Sequence, residues 1–254
     1  MSHPHPEQEL ASRLAGAGNE GIRFSALPGE LLPQDADAAY AVQAEVLRLR
    51  KADIGGWKAG AKSATGPIQG APLPNDCVHP SPATLSRGGF RPLGLELEIA
   101  FCFGRVFAPR GAPYSGDEVL EGVQYMAAAI EVVASRYQEW PAVDKLAQLA
   151  DLQNHGALIV GDYVPYQPGY PFLDPSLFFT FDGEDVVKGA PANPAGDPRR
   201  LLPWVVNHCT ARGMTVGHGT LVTTGSYTGM HFPDKPGAAL GRIAGLPAVE
   251  LILA

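Results

Sequence analysis

The chain has 254 residues, 45% hydrophobic and 18% charged, which suits one large domain or two small ones and excludes a disordered segment. Its formal net charge of −7 excludes the basic stripe of a general nucleic-acid binder and reads first as a solubility device. Cys77, Cys102 and Cys209 are odd in number and widely spaced, which suggests neither a disulfide framework nor a thiolate zinc site.

With 30 glycines and 24 prolines, short β segments between loops fit better than a helix bundle. The N-terminal MSHPHPEQ lacks a charged-then-apolar signal layout, and His3 and His5 within it read as incidental. No apolar run reaches the ~18 residues of a membrane span. The expectation is a soluble cytoplasmic protein with no membrane and no nucleic-acid partner.

In chain order, residues 7–17 form a short helical pattern with Leu10 and Leu14 on one face. Residues 36–51 form a stronger one, with cations crowding the end where the helix dipole favours them. Gly55-Gly56 is read as its stop. Residues 64–92 look like loop with short strands, and Leu95–Gly104 like a strand. Ser115 to Glu118 fits a capping box, opening a helix to about Gln124. Residues 126–134 look like a buried strand and 142–151 like a helix. Ala157–Val160 is a short strand, and FFTFDGEDVVKG (178–189) is a hairpin turning at Asp-Gly.

Asp197-Pro198 caps a helix running to Arg212, with Pro203 forcing a kink or a later start near Leu202. Leu221–Thr224 and Ala248–Leu253 complete the strands. Residues 1–60 are more helical than the rest. The expected organisation is a helical N-terminal region (1–60) packed on a larger domain (61–254).

The stretch LGLELEIAF (93–101) places two carboxylates in an apolar run. On a strand, i and i+2 share a face, so Glu96 and Glu98 project together, with Leu95, Leu97 and Ile99 opposite. A solvated outer face is the plain reading of one such pair. Two like charges side by side are nevertheless unfavourable unless something neutralises them, and a third acid, Glu131, sits in another strand-like apolar run. Carboxylates without Cys or His are the donor set of a hard cation such as Mg²⁺ or Mn²⁺, not zinc.

Three carboxylates and one divalent cation leave the site at about −1, so an anionic substrate needs a cation opposite. Lys58 in GGWKAGAKS (55–63) is one candidate and Lys62 another. Gly55, Gly56 and Gly60 would let the backbone approach a ligand. The stretch is not a phosphate loop, because Ala61 separates Gly60 from Lys62.

GWKAGAKS, LELEIAF, AIEVVASRY, LADLQNHGALIVG and LVTTGSYTGM, in that order, resemble the fumarylacetoacetate hydrolase superfamily. The branch they resemble most is that of the 2-keto-4-pentenoate (2-hydroxypenta-2,4-dienoate) hydratases and 4-oxalocrotonate decarboxylases. The resemblance covers nearly the whole chain. It implies an α+β fold: a mixed β roll with flanking helices and a small helical N-terminal region. It also implies Mg²⁺ or Mn²⁺ on Glu96, Glu98 and Glu131, a catalytic lysine at Lys58, and a substrate-carboxylate loop at Thr224, Gly225 and Ser226, with Ser63 as a weaker contact.

The sequence departs from the branch pattern at Lys62, where threonine is usual, and at Asn75-Asp76-Cys77 and Asp151-Leu152. The roles of Lys62, Asp76, Asp151 and His155 stay open. The His–Glu lid pair of the hydrolase branch has no placed equivalent; His155 and His208 read as structural. The activity implied is hydration of a 2-hydroxy-2,4-dienoate to a 4-hydroxy-2-oxo acid in aromatic catabolism, by a homo-oligomer open to association with a partner enzyme of the same pathway. The alternatives are a decarboxylase of 4-oxalocrotonate type, a C–C bond hydrolase, and an inactive scaffold partner.

Overall fold

A computed structural model describes residues 5–20, 23–25 and 27–254, without the side chains of 18–20; His3 lies outside this range. The first part of the chain runs α1 (Pro6–Glu20), α2 (Ala36–Arg50), β1 (Ile54–Ala61), β2 (Ile68–Pro74), β3 (Val78–Pro80), β4 (Ala83–Leu85) and β5 (Gly94–Phe103). There follow α3 (Gly116–Leu120), β6 (Val123–Val133), α4 (Lys145–Ala150), β7 (His155–Val160), β8 (Val164–Pro165), β9 (Leu177–Phe181) and β10 (Glu184–Asp185). The last elements are α5 (Leu201–Ala211), β11 (Leu221–Ser226), β12 (Gly237–Ile243) and β13 (Val249–Leu253).

The strands make two sheets. The larger runs β2-β1-β11-β5-β6-β7-β3, with β8 on β6; the smaller runs β10-β9-β12-β13-β4. Period-two alternation in β5 and β6 joins them. Leu95, Leu97, Ile99, Ile130 and Val132 point into a core shared with Phe179, Ile243 and Leu251 of the smaller sheet. The opposite face of the larger sheet carries small side chains, Ala100, Ala127 and Ala129, beside Glu96, Glu98 and Glu131. α1, α2 and α4 form a second core with Ala71 of β2 and Tyr137. β1 is a member of the larger sheet, so the helical part preceding the sheet ends at Arg50.

Several local expectations changed in detail. α2 is capped by Asp35, whose side chain accepts from the Ala38 amide at 2.8 Å, but it stops at Lys51 in the left-handed region (φ 53°), not at Gly55-Gly56. Those glycines lie in β1, where a Cβ on Gly55 would come within 2.7 Å of Asn75 Cα and one on Gly56 within 2.8 Å of the Leu221 carbonyl oxygen. They allow close packing of backbones, not approach to a ligand.

The Ser115–Glu118 capping box forms, yet α3 ends at Leu120, because β6 already begins at Val123. α5 begins at Leu201, so Pro203 falls in its first turn, where a missing N–H costs nothing. The 178–189 hairpin turns at Asp182 (φ 50°) and Gly183 (φ 82°). Its second strand is short because the Asp185 side chain accepts from the Val187 amide at 2.9 Å and turns the chain away.

Candidate active site

β1 has the same alternation as β5. Trp57 and Ala59 enter the core, while Lys58, Gly60 and Lys62 face the other way and line a cleft of about 320 Å³ together with Glu96, Glu98 and Glu131. The carboxylates meet because of register. Glu96 on β5 is the cross-strand partner of Glu131 on β6, and Glu98 lies two residues along, opposite Ala129. One oxygen from each of the three acids lies within 4.8 Å of the others.

Each carboxylate is held differently. Glu98 is 2% exposed; its Oε2 accepts from the Gly225 amide at 3.0 Å and from the Thr223 hydroxyl. Glu131 is 1% exposed; its Oε1 accepts from Lys58 Nζ and lies 3.0 Å from His155 Nδ1. Glu96, half-buried, has no side-chain partner among the described residues. Lys58 Nζ also donates to the Gln153 carbonyl at 3.2 Å. Leu152, Gln153 and Asn154 form a left-handed turn (φ 47°, 52° and 58°), which is a costly conformation for side-chain-bearing residues and aims that carbonyl at the lysine.

These contacts separate the three acids electrostatically. Burial, then the charge of Glu131, pushes Glu96 up to about 7. Burial and the neighbouring carboxylates push Glu98 up to about 8. Burial also pushes Glu131 up, but Lys58 and the His155 hydrogen bond outweigh it, and the net shift is downward. Two carboxyls, Glu98 buried and Glu96 half-buried, that hold protons near neutrality beside a third that is ionised are a site short of positive charge. An all-oxygen cluster of this kind fits a hard divalent cation. Glu96, Glu98 and Glu131 are the residues that would hold it.

Of the remaining candidates, Gly225 and Ser226 line the cleft, and Gly225 is left-handed (φ 84°). Thr224 does not reach it: its hydroxyl donates to the Ile99 carbonyl at 2.7 Å and pins the loop from inside. Ser63 is exposed beyond the end of β1 and is not in the cleft wall. Asp76 pairs with Arg50 at 2.9 Å outside the cleft. Asp151 is buried against Arg136 and accepts from the Ser135 hydroxyl at 3.1 Å. His208 stacks on Trp204 with ring centroids 4.6 Å apart and is remote from the carboxylates.

The site also holds residues that sequence reasoning passed over. Thr223 braces Glu98, and His155, read from the sequence as structural with its role open, lies against Glu131. Gln148, Gln153 and Asn193 line the walls, with Lys145 beside them. Asn193 donates to the Thr224 and Gly225 carbonyls at 2.8 and 3.0 Å and so supports the loop.

No protein-family model matches the chain. A curated 2-keto-4-pentenoate hydratase of Paraburkholderia xenovorans (strain LB400) is 26% identical, covering 92% of this chain and 89% of that protein. The solved 4-oxalocrotonate decarboxylase of Pseudomonas putida G7, complexed with magnesium and adipate, superposes with a TM-score of 0.85 at 20% identity, covering 100% of this chain and 99% of that one. The resemblance is to the hydratase–decarboxylase branch of the fumarylacetoacetate hydrolase superfamily, and the fold is that superfamily's. A fumarylpyruvate hydrolase from Pseudomonas aeruginosa, complexed with Mn²⁺ and pyruvate, shares the fold more distantly, with a TM-score of 0.54 at 17% identity over 78% of this chain and 88% of that one.

Proposed function

We propose that the chain is a metal-dependent lyase that adds water to a 2-hydroxy-2,4-dienoate, giving a 4-hydroxy-2-oxo acid. The observation that carries the reading is Lys58 Nζ hydrogen-bonded to Glu131 on the wall that also presents Glu96 and Glu98. Similarity to 2-keto-4-pentenoate hydratases along 92% of the chain supports the substrate class. Mg²⁺ or Mn²⁺ held by the three glutamates would supply Lewis-acid stabilisation of enolate charge.

The chain's own residues do the rest. Lys58 carries a proton between the 2-oxygen and carbon as dienol and ketone interconvert. Glu131 and the Gln153 carbonyl hold its ammonium in place. The backbone at Gly225 and Ser226 faces the substrate carboxylate. The buried alanines under the acids keep the floor of the cleft dry.

Decarboxylation of a 2-oxo dicarboxylate is the second reading, favoured by Lys62 and Lys145 on the cleft wall. Two cations beyond Lys58 suit a substrate carrying a second carboxylate. The proposal extends to a homo-oligomer in the cytoplasm, in which the helical N-terminal region packs on the catalytic domain. Exposed Phe178 and Ile252 on the smaller sheet and three free thiols support those parts.

The test is turnover of a 2-hydroxydienoate with Mg²⁺, read as loss of dienol absorbance, beside a run with an oxalocrotonate and CO₂ detection. Glu96→Gln should abolish metal-dependent turnover with the fold intact. Near-normal turnover in that variant with metal still bound overturns the assignment.

A further inference from the structure

A second cavity, of about 240 Å³, lies behind the carboxylates and shares His155 with them. Among the described residues four arginines line it, Arg23, Arg50, Arg91 and Arg136, and the one carboxylate in its wall is Asp76. Arg136 is already neutralised by buried Asp151, and Arg50 is paired with Asp76. Arg23 uses one terminal nitrogen on the carbonyls of Tyr137 and Gln138, and the Arg91 side chain makes no hydrogen bond or ion pair among the described residues. Among the described residues, four guanidiniums against two carboxylates leave two positive charges in excess.

The polar atoms left over are the stronger observation. The Nε atoms of Arg23 and Arg50 are buried without a partner, and so is Nε2 of His155, a side chain only 2% exposed. The His155 ring spends Nδ1 on Glu131, and the residue also lines this cavity. Buried guanidinium donors without acceptors are costly, and guanidinium donors match the oxygens of planar or tetrahedral oxyanions.

We propose that this cavity binds a small dianion, a phosphate group or a short dicarboxylate, at a site separate from the carboxylate cleft. Two net charges set the ligand's charge, and the guanidinium groups that line the wall suit its oxygens. Arg91, exposed and with an unpaired side chain among the described residues, is the most accessible of the lining arginines. His155 makes the site adjacent to the catalytic one without making it part of it, because it lines this cavity while its Nδ1 lies against Glu131 of the other.

The test is isothermal titration of the full chain, freed of metal by dialysis, with inorganic phosphate, with succinate, and with sodium chloride at matched ionic strength. One equivalent of phosphate or succinate should bind and chloride should not compete; which of the two binds identifies the source of the dianion. Arg91→Gln should weaken binding about tenfold, the effect of losing one charge-assisted contact, while Lys62→Thr in the carboxylate cleft leaves it unchanged. Circular dichroism checks that both variants fold, and Arg91→Glu should abolish binding. Absence of dianion binding, binding indifferent to both Arg91 substitutions, or binding weakened by Lys62→Thr overturns the proposal.

Discussion

Glu96 and Glu131 face one another as cross-strand partners on β5 and β6, in a wall where Glu98 is also buried. Like charges in that position repel, and the metal-free fold reduces the repulsion by keeping protons on Glu96 and Glu98.

That arrangement fixes a pH dependence. The folded-state pKa values of Glu96 and Glu98 lie at about 7 and about 8 against an ordinary 4.5. The folded chain therefore binds protons that the unfolded chain has released, and stability from these groups is lost as pH rises from about 4.5 through 8. Glu131 is shifted downward, so its contribution is lost only on acidification below the ordinary range. The Tm of metal-free protein should fall by at least about 3 °C between pH 5 and pH 8, which is about 1 kcal/mol for a chain of this size. Mg²⁺ should restore it most at the alkaline end, where it displaces the fewest protons. Calorimetry at four pH values with and without Mg²⁺ measures this; a metal-free Tm that is flat or rising across the range would refute it.

Lys58 is predicted to matter for turnover and not for holding metal. Its ammonium competes with any cation for Glu131, so Lys58→Met should leave Mg²⁺ affinity equal or tighter. Loss of a positioned proton carrier should lower kcat by about 10²- to 10⁴-fold. Metal titration beside steady-state kinetics separates the two, and unchanged kcat removes Lys58 from the chemistry.

Thr223 gives a third prediction. Its hydroxyl donates to Glu98 from the neighbouring strand β11 and orients that carboxylate. Thr223→Val keeps shape and β propensity but loses the donor. Metal affinity should drop about 10- to 100-fold, as for other groups that orient a metal ligand, with kcat at saturating metal largely kept. A fall in kcat without any change in metal affinity would mean that the hydroxyl acts on substrate instead.

What could be read in the sequence follows from how each signal is written. The period of two in LGLELEIAF gave the face shared by Glu96 and Glu98, and an acid in an apolar run marked Glu131. The start of α5 was legible because Pro203 is tolerated only in a first turn. Thr223 was not legible, since a threonine in a buried strand is ordinary. His155 was not, because its contact with Glu131 depends on the register of β6 against β7, which local pattern does not specify. The Gln153 carbonyl carries no side-chain signal at all. Thr224 was misplaced for a related reason: in a bulged strand alternation breaks, and the loop motif does not say which side chains turn inward.

The remaining prediction concerns the two lysines beyond Lys58. Lys62 follows the end of β1, four positions on from Lys58 or about 13 Å at about 3.3 Å per residue, so Lys62 lies farther along the same wall of the cleft. Lys145, at the first position of α4, is exposed on another part of the wall. A monocarboxylate engaged at the three acids would not reach both, whereas an extended dicarboxylate would present its second charge toward them. Lys62→Thr with Lys145→Gln should therefore lower kcat/KM for a 2-oxo dicarboxylate about tenfold or more, by way of KM, and leave a monocarboxylate dienoate within about twofold. Both lysines are exposed, so the effect should shrink as salt rises. Equal losses for the two substrates would show that the lysines do not discriminate charge and would favour the monocarboxylate hydratase over the decarboxylase.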